Sequence, residues 1–198
     1  MTTTTKKTTK TVKAKATPIP TLPKIPFAFE VLDAASKQRT KAKKIEVLQR
    51  YAHDSIMALL IWNFDESAIS VLPPGEVPYG NTREDNSVTG TLSDKINDAV
   101  DKMSEMGSNS LGSQDQGKAS IRKEYSKFYN FLKGGNNGLT NLRREPMFIN
   151  ILEGLHPLEA EILILVKDKK LTDKYKITKE IVSAAYPQIT WGGRSWVQ

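Results

Sequence analysis

The sequence predicts a mainly α-helical fold, an irregular bundle of about eight short helices. Apolar residues recur at three- and four-residue intervals in one segment after another, as expected for helices that bury one face. One stretch rich in proline and glycine separates two groups of these helical segments. No internal repeat is visible, and 198 residues suffice for one domain with an adequate core.

An N-terminal arm precedes the predicted domain. Residues 1–26 are rich in threonine, lysine and proline, and Pro18, Pro20, Pro23 and Pro26 favour extended backbone. We therefore expect a disordered basic arm over residues 1–26. A single α-helical domain is expected over residues 27–198.

Three helices are predicted at the start of the domain. The segments FAFEVLDAASK, TKAKKIEVLQRYAHD and SIMALLIWNF each place apolar residues on one stripe. The stripes contain Phe27, Val31, Ala34 and Ala35 in the first helix, Ile45, Leu48 and Ala52 in the second, and Ile56, Leu59, Leu60 and Trp62 in the third.

The middle of the chain contains the predicted loop. VLPPGEVPYGNT has three prolines and two glycines, a spacing that neither a helix nor a central strand tolerates. TLSDKINDAVDKMSEM resumes a helical period at Leu92, Ile96, Val100 and Met103. Residues 107–117 are rich in glycine, serine and glutamine and are predicted to form a flexible linker.

A core-facing helix is then predicted over KASIRKEYSKFYNFLK. Its stripe is formed by Ile121, Tyr125, Phe128 and Leu132, and the glycines of GGNNG end it. Tyr125, Phe128, Tyr129 and Phe131 form an aromatic group in this segment, and because three of the four fit the core stripe or its flank, we favour burial over a base-stacking platform.

Three further helices are predicted in the C-terminal part. LTNLRREPMFINILEGL forms the first, with Pro146 at its first turn, and PLEAEILILVKDKK forms a largely buried second one. ITKEIVSAAYP is a short last helix, capped by Thr178 and stopped before Pro187. The tail TWGGRSWVQ is too short for a helix, and its Trp191 and Trp196 either fold back onto the domain or anchor a partner.

The composition argues against several classes of function. The chain has no cysteine, which excludes disulfides, thiolate chemistry and cysteine-rich zinc sites. His53 and His156, its two histidines, are far apart in sequence, and His156 is expected to make a local hydrogen bond at a helix entrance. The sequence contains none of the G-x-S-x-G, H-E-x-x-H or Walker patterns. We therefore expect no catalytic residue, no cofactor and no metal site.

The distribution of apolar residues indicates no membrane partner. The longest apolar run extends from Ile56 to Trp62, well short of the roughly 20 residues that a membrane span requires. The N-terminal lysines are not followed by the apolar region of a secretory signal. We expect a protein of the cytosol.

Positive charge is grouped into three segments. The formal net charge is +7, and the first 24 residues contain six lysines and no acidic residue. Cations grouped in this way can present one face to a polyanion, DNA or RNA, through its phosphates. The alternative is that the arm is a solubilising leader and that the other lysines lie in solvated loops, with no ligand bound by either. The candidate nucleic-acid-binding residues are Lys6, Lys7, Lys10, Lys13 and Lys15 in the arm, Lys37, Arg39, Lys41, Lys43 and Lys44, and Lys169, Lys170, Lys174 and Lys176.

GGNNG suggests a second, weaker phosphate site. A glycine loop that leads into a helix can cradle a phosphate, and Arg143 and Arg144 follow Gly135 closely. The motif lacks the GK[ST] ending of a P-loop and follows a helix, so an ordinary helix–helix turn is the competing interpretation.

Two further patterns receive a structural interpretation. Asp94, Asp98, Asp101 and Glu105 line one side of a helix and are expected to form a solvated acidic face, because lysines are interleaved and no histidine joins them. The pair PLEAEILILVKDKK and ITKEIVSAAYP is separated by about nine residues, whereas a helix-turn-helix needs three or four. A classical helix-turn-helix is therefore not expected, although a looser helix pair that includes Lys179 could present lysines to phosphates.

The segments FEVLDAASK, KIEVLQRY, LPPGEVPY, NLRREPMFINILE and ILILVKDKKL resemble a family of small uncharacterised proteins of myovirus-type, mostly marine, tailed bacteriophages. The resemblance covers most of residues 27–187, while the arm, the linker and the tryptophan tail look like additions. It implies a phage origin and a host-cytoplasm setting, with virion association as a further option, and it brings no established activity, catalytic residue or ligand.

These observations leave two main hypotheses. The first is a non-enzymatic phage accessory protein that contacts nucleic acid through its basic segments beside replication, recombination or transcription machinery. The second is a protein-interaction module that binds a host or phage protein or the virion through LPPGEVPY or the tail. A phosphate-handling enzyme that uses GGNNG is a weaker third hypothesis.

Overall fold

The protein folds into a helical bundle, seen here in a computed structural model. The structure describes residues 19–75, 77 and 119–193, together with five helical positions, 94, 97, 98, 100 and 101. Within 19–75 and 119–193 there are eight α-helices and one 3₁₀ helix, and no strand longer than an isolated bridge. The α-helices are α1 (Ala28–Ser36), α2 (Lys41–Arg50), α3 (Asp54–Phe64), α4 (Ile121–Glu124), α5 (Asn141–Gly154), α6 (Pro157–Lys167), α7 (Leu171–Tyr175) and α8 (Lys179–Ala185), and the 3₁₀ helix is Tyr125–Phe131.

The mainly α-helical fold class predicted from the sequence is confirmed. The three predicted N-terminal helices correspond to α1, α2 and α3, and each has a polar start. Glu30 caps α1 by accepting from the Phe27 N–H at 2.9 Å, Thr40 caps α2, and His53 Nδ1 accepts from the Ser55 N–H at the start of α3. Their apolar faces enter one core, at the centre of which Trp62 stacks on Phe131 with ring centroids 6.2 Å apart.

Residues before the predicted domain start already pack on the domain. Ile19 and Leu22 contact the core. The Tyr51 hydroxyl donates to the Pro20 carbonyl at 3.2 Å and accepts from the Leu22 N–H at 3.0 Å. The packed part of the chain therefore begins at least eight residues before Phe27. We call residues 19–26 the strap. Its prolines favour extended backbone, and the strap contacts Tyr51 in that form.

The predicted continuous α-helix over residues 118–133 is wrong. A single α-turn, α4, passes into the 3₁₀ helix, and Leu132 is extended. In a 3₁₀ helix residues three apart align, so Tyr125, Phe128 and Phe131 share one side and Phe131 becomes fully buried. Val71 N–H then donates to the Phe131 carbonyl at 2.9 Å, which attaches the loop after α3 to this segment.

The predicted position of Pro146 is also wrong. The helix α5 begins at Asn141, so Pro146 lies in its second turn. Proline has no N–H, and the carbonyl of Leu142 consequently loses its intrahelical partner. Leu142 is 89% exposed, so solvent can replace that hydrogen bond.

The short helix α7 was not predicted. It lies between α6 and α8 and is bordered by two lysines with positive φ, Lys169 at 59° and Lys176 at 49°. The left-handed backbone at Lys169 ends α6, and the following Lys170 N–H donates to the Leu165 carbonyl at 2.8 Å, a Schellman-type closure. The last helix, α8, begins after Thr178 and ends before Pro187, as predicted, although the Thr178 side chain makes no capping hydrogen bond.

One buried carboxylate joins three helices at their N-terminal ends. Glu159 lies in the first turn of α6 and is 1% exposed. Its Oε1 accepts from the Ala28 N–H of α1 at 3.1 Å, and its Oε2 accepts from the Ile121 N–H of α4 at 2.9 Å. A single side chain thus satisfies one otherwise open donor at the start of each of two other helices.

Candidate nucleic-acid interface

The structure brings two basic segments together on one surface. The Lys44 Nζ in α2 donates a 2.7 Å hydrogen bond to the carbonyl oxygen of Lys176, which is 132 residues away in sequence. Burial, together with the charge of Lys176, lowers the pKa of Lys44. The surface formed by Lys37, Arg39, Lys41, Lys43, Lys44, Lys174, Lys176 and Lys179 is called the basic face below.

The first turn of α2 concentrates positive charge. Lys41, Lys43 and Lys44 lie at the helix N-terminus, where backbone N–H groups already give a positive potential and acidic residues are the usual choice. Thr40 provides the cap, its side chain accepting from the Lys43 N–H at 3.4 Å. These lysines add positive charge at the helix end that is already positive. An anion that approaches this end of α2 therefore meets a higher positive electrostatic potential.

The left-handed conformation of Lys176 makes its contact with Lys44 possible, and we call this contact the Lys44 junction. The conformation ends α7 and turns the Lys176 carbonyl toward α2, where Lys44 binds it. The helix α8 then starts at Lys179 and packs against α2. The two basic segments are therefore held together by backbone geometry and helix packing.

Acidic side chains pair with part of the basic face. Lys41 pairs with Glu180 at 2.8 Å, Lys37 pairs with Asp33 at 2.6 Å, and Lys174 binds both oxygens of Glu161. The hydrogen bond with Glu180 raises the pKa of Lys41, and the same bond lowers the pKa of Glu180. Both side chains of the Lys41 pair are largely exposed, so water screens the attraction and a phosphate can compete for the lysine.

The strap ends beside the same face. Pro20 and Leu22 line a cavity of about 360 Å³ together with Lys37, Lys174 and Tyr175. The chain that carries the arm lysines therefore joins the domain next to two lysines of the basic face. Lys6, Lys7, Lys10, Lys13 and Lys15 themselves lie outside the described residues.

Lys169 is not directed at the Lys44 junction. Its Nζ donates to the Asp65 carbonyl at 2.8 Å, at the end of α3. The Asp65 carboxylate accepts from the Gly192 N–H at 3.1 and 3.2 Å, so Lys169 lies where the C-terminal tail is attached. Lys170 is exposed in the connection between α6 and α7.

Lys167 has a structural role. It is buried, and its Nζ donates to the Pro73 carbonyl at 2.8 Å, to the Gly75 carbonyl at 2.9 Å and to Asp168 at 2.5 Å. Asp168 in turn accepts from the Gly75 N–H at 3.3 Å. This pair fixes the start of the predicted LPPGEVPY loop, of which residues 76, 78 and 79 lie outside the described residues.

Trp191 adds an aromatic ring at the edge of the basic face. The residue is partly buried against the core, and the Lys179 Nζ lies 5.2 Å from the ring centroid. Trp191 therefore folds back onto the domain, whereas Trp196 lies outside the described residues. The sequence offers Lys179 for phosphate contact and Trp191 for contact with a partner, but their twelve-residue spacing gives no sign that these two residues meet.

Two backbone donors of GGNNG are engaged within the chain. Gly135 N–H donates to the Leu132 carbonyl at 3.0 Å, and Gly138 N–H donates to Asn136 Oδ1 at 3.1 Å. Arg144 donates to the Asn136 carbonyl and to Asn141 Oδ1. Arg143 instead lines a separate cavity of about 500 Å³. Phosphate binding by Gly135, Arg143 and Arg144 stays a prediction, and the geometry favours a hydrogen-bonded turn.

The remaining candidate positions carry no assembled metal site within the described residues. Asp94, Asp98 and Asp101 are exposed, and Glu105 lies outside the described part of the chain. The His, Asp and Glu side chains that are described form no group of three suited to a metal ion. Across 19–75 and 119–193, no helix has the length and apolar character to cross a membrane.

A family of unknown function, DUF6433, matches residues 31–100 and 105–173. The chain belongs to this family. The DUF6433 region contains the helices from α2 to α6 and the basic residues from Lys37 to Lys44, and its second matched segment ends at Asp173, before Lys174, Lys176 and Lys179. No curated protein and no solved structure matches the chain.

Proposed function

We propose that this DUF6433 protein is a non-enzymatic accessory protein that contacts nucleic acid through the phosphates of DNA or RNA. The observation that carries the proposal is the hydrogen bond from Lys44 to the Lys176 carbonyl, because it unites two basic segments that are remote in sequence. A polyanion that lies on the basic face meets lysines from α2, from the end of α7 and from the start of α8.

The pattern of ion pairs supports reversible binding that does not depend on sequence. Lys37 and Lys41 pair with exposed carboxylates, and such exposed pairs contribute little stability. Phosphates can take over these lysines and release counterions, which gives affinity without base recognition. The arm lysines precede Pro20 and Leu22, which lie beside this face, and would extend the contact as a tether.

The proposal of a non-enzymatic protein is supported by polar side chains that already hydrogen-bond within the fold. The polar atoms of Arg144 and Asn136 hold the GGNNG turn closed, and Glu159 is committed to two helix N-termini. The resemblance to tailed-phage proteins supports a phage origin and a setting in the host cytoplasm beside replication, recombination or transcription machinery.

A protein-interaction module is the second candidate function, and one observation favours it. Leu142 is 89% exposed and lines the cavity of about 500 Å³ together with Pro146 and Met147. An exposed leucine beside an apolar cavity is typical of a contact surface. A phage or host protein, or the virion, would be the partner.

Paired charge-neutralising variants test the proposal. Lys43→Gln with Lys176→Gln removes two cations from the basic face, and Lys123→Gln with Lys133→Gln removes two exposed cations elsewhere. Binding of a labelled DNA or RNA oligomer is measured by fluorescence polarisation at low salt. The first variant should bind about tenfold more weakly than the wild type, and the control variant should bind almost as well. Equal losses in both variants would contradict an interface at the basic face, and binding by none of the proteins would favour the protein-interaction candidate.

A further inference from the structure

The ring of Trp191 has the surroundings of a platform for an unpaired base. It lies beside Lys179, whose Nζ is 5.2 Å from the ring centroid, and Lys179 starts the helix that packs against α2. An aromatic face next to a row of cations is the combination that single-strand-binding proteins use, with phosphates on the cations and a base on the ring.

The backbone around Trp191 is fixed by a buried anchor. Asp65 is 1% exposed, and both of its carboxylate oxygens accept from the Gly192 N–H, at 3.2 and 3.1 Å. Gly192 and Gly193 have φ of 78° and 66°, a left-handed turn that glycine adopts without strain. The Lys169 Nζ also donates to the Asp65 carbonyl, at 2.8 Å. The ring is therefore positioned before any ligand arrives, which lowers the entropy cost of stacking.

We propose that the basic face selects single-stranded nucleic acid, with an unpaired base stacked on Trp191 and the neighbouring phosphates on Lys179 and Lys176. This inference rests on the proposed function and adds the class of ligand. In a duplex the base faces are covered by their neighbours, so only an unpaired base can reach the ring. The Lys179 ammonium, which occupies the ring in the free protein, then moves to the phosphate of the stacked nucleotide.

The test compares oligomers that differ only in their bases. The full chain is titrated with a thymidine oligomer of about 15 nucleotides, with an abasic oligomer of the same length and with a duplex of the same length. We expect the thymidine oligomer to bind about tenfold more tightly than the abasic one, with quenching of tryptophan fluorescence on stacking. Equal affinity for the thymidine and abasic oligomers would overturn the base-stacking inference while leaving phosphate binding intact. Binding of none of the three ligands, the duplex included, would overturn both the inference and the proposed function.

Two substitutions locate the stacking ring. Trp191→Leu should reduce the affinity for the thymidine oligomer to that for the abasic oligomer, and Trp191→Phe should keep most of the difference because it retains an aromatic face. Tyr129→Leu, at an exposed aromatic residue elsewhere on the surface, serves as the control and should change neither affinity. Thermal unfolding of each variant shows whether the fold is retained. A thymidine preference that survives in folded Trp191→Leu would show that Trp191 is not the platform.

Discussion

The Lys44 side chain donates to the carbonyl oxygen of Lys176, a residue that has left-handed backbone, at a distance of 2.7 Å. This contact makes two lysine-rich segments neighbours and also explains why a lysine adopts a conformation that usually favours glycine. The left-handed turn presents the carbonyl to α2 and keeps one more cation on the basic face. Backbone strain at this position is therefore linked to the proposed function.

Lys176→Gly should stabilise the fold and at the same time weaken oligonucleotide binding. Glycine adopts a φ of 49° without the steric cost that a side chain brings, so the free energy of unfolding should rise by about 1 kcal/mol. The loss of one cation should at the same time weaken oligonucleotide binding. Lys170→Gly is the matched control, because Lys170 has φ of −101°, where glycine gives no relief of strain. Urea unfolding measures both variants, and a Lys176→Gly variant less stable than the wild type would disprove strain at this site.

Gly135→Ala should destabilise the protein. A Cβ at Gly135 would lie 1.9 Å from the Tyr129 carbonyl oxygen, so the turn after the 3₁₀ helix would have to move. Gly138→Ala is the control, because its Cβ would meet nothing closer than Asn136 Oδ1 at 3.5 Å. We expect a loss of about 2 kcal/mol or more for the first change and less than about 1 kcal/mol for the second. Thermal unfolding checks the difference, and similar melting temperatures would contradict the described packing.

Glu159 should make stability depend on pH. Burial raises the pKa of Glu159 from its ordinary 4.5 to about 7, although hydrogen bonds from Ile121 and Ala28 and the charge of Arg122 oppose that rise. The folded protein then holds this proton more tightly than the unfolded chain. The contribution of Glu159 to stability is therefore full below about pH 4.5 and is lost as the pH rises to about 7.

Glu159→Gln tests this pH dependence. The substitution should remove the decline in the free energy of unfolding between about pH 5 and about pH 7. At about pH 4.5 and below it should lower stability by about 1–3 kcal/mol, because the amide nitrogen would face a backbone N–H, and this difference from the wild type should shrink as the pH rises to about 7. Urea unfolding at several pH values measures both effects. A parallel decline in the wild type and the variant would assign the pH dependence to other groups.

Lys167→Met should release the start of the LPPGEVPY loop. The substitution leaves the carbonyls of Pro73 and Gly75 and the Asp168 carboxylate without their shared donor, at a cost of about 3 kcal/mol or more. Lys167→Met combined with Asp168→Asn should be less damaging, since no charge is then left without a partner. Hydrogen exchange at the Gly75 amide, which donates to Asp168, reports on the loop directly. Unchanged exchange in Lys167→Met would show that the loop does not depend on this lysine.

The helices could be predicted where one apolar period runs through a segment. The helices α1, α2, α3, α5, α6 and α8 are predicted this way, because their buried residues recur at three- and four-residue spacing. The 3₁₀ helix was missed because Ile121, Tyr125, Phe128 and Leu132 also fit an α-helical stripe, and only the burial of Phe131 reveals the three-residue period. The five residues of α7 are too few to show any period.

The candidate site could be predicted in its residue types but not in its arrangement. Grouped lysines are visible in the sequence, whereas the pairing of Lys44 with Lys176 depends on how α2 packs against α8. The burial of Lys167 could not be predicted either, because the residues around a lysine in a basic segment do not indicate whether its side chain is buried. Tertiary packing therefore decides which lysines lie on the basic face and which support the fold.

The salt dependence of oligonucleotide binding by the full wild-type chain tests the central claim most directly. If the basic face engages about four or more phosphates, the logarithm of the association constant should fall linearly with the logarithm of the salt concentration, with a slope of about −3 or steeper for a single strand. A slope near zero, or no binding at low salt, would contradict nucleic-acid contact through the basic face.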